Sequence, residues 1–520
     1  MSCCERAAKV VTNIRFTATL ATPRDRVRRS PHWVKTRMSK ITNAEAALAD
    51  PLAESLAQDG PKGGRLSRGA VSWAAYQGFR DPFVILISIY IFAPYFATTV
   101  VGDPVAGQAL IARIGTIYGL IAMVLAPLIG SSIDQFGHRK PMLAVLTALI
   151  IPLTFALWWA KPQGAGLSIL AVSFLYGGAC LLIAVIEVLH NSLLNRAAGR
   201  RLAPAASGLA LSMGNGVSVL MLVFVLWAFA LPGHVDWGFI PRAPLFGLDP
   251  AQHEPDRIVG PIVAVAFALG CVPLFLFTPD APATGVGLVE GVKRGAIGLW
   301  DTIKSLRQHR DAGVYLLTRM FFNDGMTALL LFGGVFAAGV MGWGVMEMLV
   351  YGIGLSVFAV GGGFLAAFLD NRVGPRQAVQ IEITGVLVCL VTWLGMSRDK
   401  ILYVIPFDAA AHAPLWGGPI FRTLPEVIFL TVGFGVAVFV TASYASSRTL
   451  LSRLAPPDKL ASFFGLYGLS GTVTMWLGSL LVTTSTAIFK TQAAGFAPIA
   501  GLLLVGLLGM FLVKGGGREA

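Results

Sequence analysis

The chain has 520 residues, of which 55% are hydrophobic and 13% charged, with a net charge of +13; an ordinary soluble domain carries about 25% charged residues. A mean hydropathy of +0.71 leaves more apolar surface than one water-soluble core can hide. A soluble globular fold is thereby excluded, and a bilayer is the natural solvent.

Residues 1–70 come first. Residues 1–37 hold nine Lys and Arg against Glu5 and Asp25 and supply +7 of the net charge. Such a segment reads as an arm for anionic lipid or nucleic acid, as a plain disordered tail, or as sequence upstream of a start at Met38. A disordered basic tail with no nucleic-acid partner is the reading adopted. It has no apolar stretch of the kind a signal peptide needs. Residues 39–70, rich in Ala, Asp, Gly and Pro, read as a flexible leader.

Crossing a hydrocarbon layer of about 30 Å takes about 20 mostly apolar residues in a helix. Twelve runs qualify: 83–101, 109–130, 142–160, 167–189, 208–231 and 258–278, then 314–338, 347–369, 378–396, 425–446, 463–485 and 494–513. They lack the period-two alternation of barrel strands, so they are predicted helices. The expected fold is an all-α membrane protein of twelve transmembrane helices in two pseudo-symmetric six-helix bundles, 71–278 and 314–513. A linker, 279–313, joins the bundles, and 514–520 is a short tail. With the N-terminus inside, the inner segments carry 17 Lys and Arg and the outer loops 7, which predicts both termini in the cytoplasm. Short loops favour a bacterial inner membrane, with lipid as surroundings and the chain a monomer. Cys180, Cys271 and Cys389 fall in apolar spans and Cys3 and Cys4 in the tail, so neither a disulfide framework nor a metal or other cofactor is expected.

The loop after the second run is the best short signal, Gly130-Ser-Ser-Ile-Asp134-Gln-Phe-Gly137-His-Arg139-Lys140-Pro141. Gly130 permits close approach and Gly137 a tight turn, while Asp134 suits a cation or a helix N-terminus. With Arg139 they make a candidate latch between the halves, or a basic turn that only fixes topology. Asn371-Arg372-Val-Gly374-Pro-Arg376 repeats the pattern 237 residues later, so Arg372, Gly374 and Arg376 join the candidate gate. Duplicated halves are common in transporters. In the fourth run, Glu187, His190 and Asn191 share one face near the inner surface. Glu187 is expected to meet Arg139 or Arg448 in the gate, and His190 to be interfacial.

Ionisable groups at membrane depth are costly and mark function. Asn323 and Asp324 lie about ten residues into the seventh run, about 15 Å deep, and are expected to line a central cavity. Asp324 is a candidate proton or cation site, and an interhelical clamp is the alternative. Arg319, five residues before Asp324, is expected to seek another helix. Asn215 and Tyr444 are cavity candidates or polar glue between helices. Glu347 and Glu426 suit the positive ends of helix dipoles. In the linker, Leu299, Trp300, Ile303 and Leu306 share one face with Lys and Arg elsewhere, the pattern of a helix lying in the membrane interface.

The loop Gly130–Lys140 resembles the signature of the major facilitator superfamily, departing from it at Gln135 and His138. Ser72-Trp-Ala-Ala-Tyr76, Asp81-Pro-Phe83, Pro94-Tyr-Phe96, Phe322-Asn-Asp-Gly325, Ser446-Ser-Arg448, Arg453-Leu-Ala-Pro456 and Phe463-Phe-Gly-Leu-Tyr467 resemble the vacuole-effluxer-like branch of that superfamily. The branch includes the autophagy-related vacuolar amino-acid exporter of fungi. The resemblance implies a secondary transporter that moves a small molecule, by default an amino acid, by alternating access with protons as a candidate coupling ion. Gln77, Arg80 and Thr472 depart from the branch, at positions where an acid, an Asn and often a Lys are expected. Neither metalloprotease, phosphate-loop nor nucleophile-elbow motifs occur, so no enzyme is expected.

Overall fold

The computed structural model describes residues 65–136, 138–235, 237–280, 288–455 and 460–515. The tail and leader through residue 64, Met38, Gly137 and residues 516–520 lie outside the described residues, as do the side-chain surroundings of Gly130 and Asp134. Among the described residues, twelve helices are long and apolar enough to cross a membrane: Arg68–Val100, Pro104–Ile129, Lys140–Trp159, Ile169–Ser192, Ala206–Ala230, Glu254–Phe277, Arg310–Met341, Val345–Arg372, Pro375–Leu394, Leu424–Leu454, Phe463–Phe489 and Gln492–Met510. They are spans 1 to 12 below, six in each half. The face carrying the connector between spans 6 and 7 is called the linker face, and the opposite one the far face.

Local chemistry sets many of the ends. Ser67 caps span 1 by accepting the Ala70 amide at 3.0 Å, and its hydroxyl also reaches the Ala197 carbonyl at 2.9 Å. At the starts of spans 8 and 10, Glu347 accepts the Gly344 amide at 3.0 Å and Glu426 the Thr423 amide at 2.9 Å, which satisfies an orphan amide at each end and complements the dipole. Gly374, at a φ of +88°, turns the chain ahead of Pro375, the first residue of span 9; glycine accepts that angle without strain. The far-face loop between spans 9 and 10 holds a two-residue ladder, Lys400–Ile401 against Ile405–Pro406, which the apolar runs did not announce.

Span 1 departs most from expectation, since it begins at Arg68, 15 residues before the apolar run at 83. Arg68–Pro82 is regular α-helix. Phe83–Tyr90 and Phe96–Val100 widen into π-helical turns, with a break at Ile91 ahead of Pro94. Span 11 is also interrupted, between Leu460–Thr472 and Met475–Phe489.

The linker contains a helix, Leu288–Ser305, that packs on the span 2 helix, which continues to Phe136. Its Gly291 and Gly295 are buried, while Ile297 and Trp300 are more than half exposed and Lys304 lies over the Trp300 ring.

Candidate functional site

The halves meet through spans 1, 2, 5, 7, 8, 11 and 12. On the far face the approach is close. A Cβ on Gly334 of span 7 would sit 1.9 Å from the Ile89 carbonyl oxygen, and one on Gly352 of span 8 would sit 2.9 Å from the Tyr90 ring. Tyr90 meets Tyr351 edge to face, with centroids 6.0 Å apart. Gln108 of span 2 donates to Thr486 Oγ1 at 3.2 Å and to the Gln492 carbonyl at 3.1 Å, and the Gln492 amide returns to the Pro104 carbonyl at 3.2 Å. Span 2 lies against span 11 at Gly115–Ser479 and Gly119–Trp476. Toward the linker face, by contrast, Arg68–Pro82 packs within its own half, on spans 5 and 6.

This arrangement leaves a cavity of about 140 Å³ between the halves. Tyr90 from span 1, Asn215 from span 5, Tyr351 and Ser356 from span 8, Trp393 from span 9 and Thr441 and Tyr444 from span 10 supply its aromatic and polar walls, and aliphatic residues and glycines the rest. Asn215 is exposed and Tyr444 half-buried. A second cavity, of about 270 Å³, opens on the far side of Tyr90, lined by Tyr95, Thr98, Thr99, His234, His253, Asp256 and Trp343. Tyr90 borders both.

Arg319, Asn323 and Asp324 gather on the interruption of span 11 rather than on either cavity wall. The Arg319 guanidinium lies 3.5 Å from the centroid of the Tyr467 ring. It donates to the Tyr467 carbonyl at 2.8 Å, Ser470 Oγ at 2.6 Å and Asn323 Oδ1 at 3.0 Å. Thr474 donates to the Met320 carbonyl at 3.0 Å, and Asp324, 1% exposed, accepts the Gly478 amide at 2.7 Å. A cation therefore faces the carbonyl end of the first segment and an anion the amide end of the second, the sign each dipole end favours.

The linker-face set is more dispersed. Arg139 and Lys140 donate their amides to the Asp280 carboxylate at 3.0 and 3.1 Å, and the Arg139 guanidinium reaches the Ser192 carbonyl. The loop after span 2 is thus tied to the ends of spans 4 and 6 in its own half. Arg372 rests over Phe368 at 5.6 Å, Arg376 is half-buried, and Glu187, Asn191 and Arg448 are exposed. Glu187 acts electrostatically on Arg80.

His190 requires a correction. It is fully buried, stacked on Trp73 at 4.4 Å and Tyr76 at 4.9 Å, with Nε2 donating to the Trp73 carbonyl at 2.8 Å. The early start of span 1 places Trp73 and Tyr76 over it, so it does not share the exposed face of Glu187 and Asn191.

Several polar residues were not placed within the spans, or not singled out there, by the sequence reading. Arg80 and Asp81 lie inside span 1 as an ion pair at 2.8 Å. Glu382 of span 9 is fully buried and accepts the Ser446 hydroxyl at 2.8 Å. Gln108 and Gln492 lie so near span ends that hydropathy treats them as boundary residues. The usable signal for Glu382 was an acid four residues past the start of the apolar run 378–396, which membrane depth makes expensive.

Twelve spans in two six-span halves that close on one face around a cavity are the architecture of the major facilitator transporters. Solved structures share it: the D-xylose-proton symporter has a TM-score of 0.56 at 12% identity, covering 85% of this chain and 96% of that one. The nucleoside transporter NupG has a TM-score of 0.55 at 11% identity, covering 86% and 99%, and the inward-open xylose transporter XylE from E. coli 0.54 at 12%, covering 86% and 94%. At these identities the likeness is one of fold. The chain belongs to the vacuole effluxer Atg22-like family, whose model matches residues 207–516. Autophagy-related protein 22 of Cryptococcus neoformans var. neoformans serotype D is 23% identical over 322 residues, 61% of this chain and 51% of the relative. Autophagy-related protein 22-2 of Emericella nidulans is 26% identical over 261 residues, 48% of this chain and 42% of the relative. The chain spans about half the length of the curated relatives it matches.

Proposed function

We propose that this chain is a secondary transporter that moves a small solute by exposing the cavity at Asn215 and Tyr444 alternately to the two faces. One observation carries this reading: the halves are joined on the far face by Ile89–Gly334, Tyr90–Tyr351 and the Gln108–Gln492 pair, while toward the linker face span 1 turns back into its own half. Such a molecule is closed on one side and poised to open there by rocking its halves. The bias of 17 Lys and Arg to 7 supports a cytoplasmic linker face, and the short connecting loops support a bacterial inner membrane. The family description as a vacuole effluxer supports efflux as the class of transport, and the carrier is taken to work as a monomer. The hydroxyl and amide groups of the cavity suit a solute with hydrogen-bonding groups, and an amino acid or similar metabolite is the class the family resemblance implies. In this reading Asp324, Asn323 and Arg319 hold span 7 to the interrupted span 11, and Gly130, Asp134, Gly137, Arg139, Arg372, Gly374 and Arg376 serve the linker-face gate.

Counterflow of a pooled set of labelled amino acids and metabolites into vesicles holding the purified chain tests the reading. At least one solute enters, and Asn215→Leu slows it without unfolding the protein. Absence of counterflow for every member of the pool overturns it.

A further inference from the structure

Span 1 carries a charge set that neither cavity wall nor the span 7 clamp uses. Arg80 is 5% exposed. Its Nε and Nη2 both donate to Asp81 Oδ1, at 3.1 and 2.8 Å, and Gln77 Nε2 donates to Asp81 Oδ2 at 3.1 Å. The remaining guanidinium nitrogen, Nη1, is buried without a hydrogen-bond partner. Asp81 keeps 21% of its side chain exposed, and it presses on span 5 at Gly214, where a Cβ would sit 2.2 Å from Oδ2. The next residue, Asn215, lines the central cavity.

The neighbouring titratable groups can be enumerated element by element. Span 1 supplies Arg80 and Tyr76. Span 4 supplies Glu187 and His190, both of which interact electrostatically with Arg80. Span 6 supplies Cys271 beside Tyr76, and span 5 presents the glycine at its contact with Asp81. His190 commits its Nε2–H to the Trp73 carbonyl. Asp81 is therefore the direct partner of the guanidinium, and Glu187, exposed on span 4, acts on the same group at longer range. Charges within a membrane protein pair with one another or line an ion pathway.

We infer that Asp81 binds the coupling cation, a proton or a sodium ion, entering from the linker-side cleft, with Arg80 as its exchangeable partner and Glu187 as the acceptor to which Arg80 turns. The inference rests on the transport reading. Occupation of Asp81 by the cation removes the charge that holds Arg80, whose unused Nη1 then engages Glu187, and the net charge of the set falls to zero. Asp324 commits Oδ2 to the Gly478 amide, and its Asn variant serves as the comparison.

The test reads distance across the linker-face cleft by spin labels at Gly208→Cys in span 5 and Gly465→Cys in span 11, where an added Cβ meets nothing within 4 Å. The five native cysteines are replaced by serine, and the full chain is held in lipid nanodiscs. Either a pH ramp at fixed sodium or a sodium ramp at fixed pH shifts the distance distribution, and the active ramp identifies the ion. Asp81→Asn loses the shift, Asp81→Glu retains it with a displaced midpoint, and Asp324→Asn retains it unchanged. Thermal unfolding of each variant confirms a folded chain. An undiminished shift in folded Asp81→Asn overturns the inference, as does a chain that shows counterflow but responds to neither ramp. Failure of the transport reading is separate: it shows as absence of counterflow for every solute of the pool.

Discussion

Gly334→Ala tests the closed far face directly. The new Cβ would lie 1.9 Å from the Ile89 carbonyl oxygen, whereas ordinary contact begins at 3.4 Å, so spans 1 and 7 must part by 1.5 Å, the difference of those distances. Both sides of the clash are backbone, which no rotamer change relieves. Overpacking of this kind costs about 1–3 kcal/mol. That cost falls on the state in which the spans touch and is relieved when they separate, so the balance moves toward far-face opening by about 5- to 150-fold. Ser356, on the cavity wall, reports this when replaced by cysteine in a chain without its native cysteines. A membrane-impermeant maleimide applied at the far face labels Ser356→Cys faster by that factor when Gly334→Ala is present. Unchanged labelling in a variant that melts at the same temperature would refute the assignment of Ile89–Gly334 as a closed contact.

Asp324→Ala strands the buried Gly478 amide and lowers stability by about 1–3 kcal/mol, read by thermal unfolding in detergent, whereas Asp324→Asn retains an acceptor oxygen and most of the stability; equal losses would contradict the clamp. Gln108→Ala and Gln492→Ala weaken the far-face junction non-additively, because each amide serves the other's segment, and a double-mutant cycle on far-face labelling measures the coupling. The Asp256 hydrogen bond raises the pKa of His253 at the far-face mouth. Because the folded value lies above the unfolded one of about 6.5, the stabilisation is complete below the unfolded value and is lost as pH rises through the folded value. His253→Gln therefore flattens melting temperature against pH over the interval just above about 6.5, and a slope identical to that of the parent chain would count against it.

The twelve spans were legible because each is a long apolar run, and length alone distinguishes such runs from core helices. The start of span 1 was not. Hydropathy charges each polar residue separately, whereas Gln77, Arg80 and Asp81 cancel much of one another's cost by pairing within one turn. That one error also misplaced His190, whose cover comes from the unrecognised segment. Arg319 was read as seeking another helix, and it lies on span 11; its target, the interruption at Val473 and Thr474, has no proline to announce it. The cavity set was partly visible, since Asn215 and Tyr444 are polar in apolar runs, but Tyr90 and Tyr351 resemble any other membrane aromatic until the halves are brought together.

Tyr90 borders both cavities and abuts Tyr351, so the partition between the two compartments is one ring pair thick at that point. Insulation there depends on the stiffness of two aromatic side chains rather than on a depth of packed protein. Removal of either ring opens a leak before it alters turnover, and a carrier built this way has the tightness of its seal, more than its speed, set at residue 90.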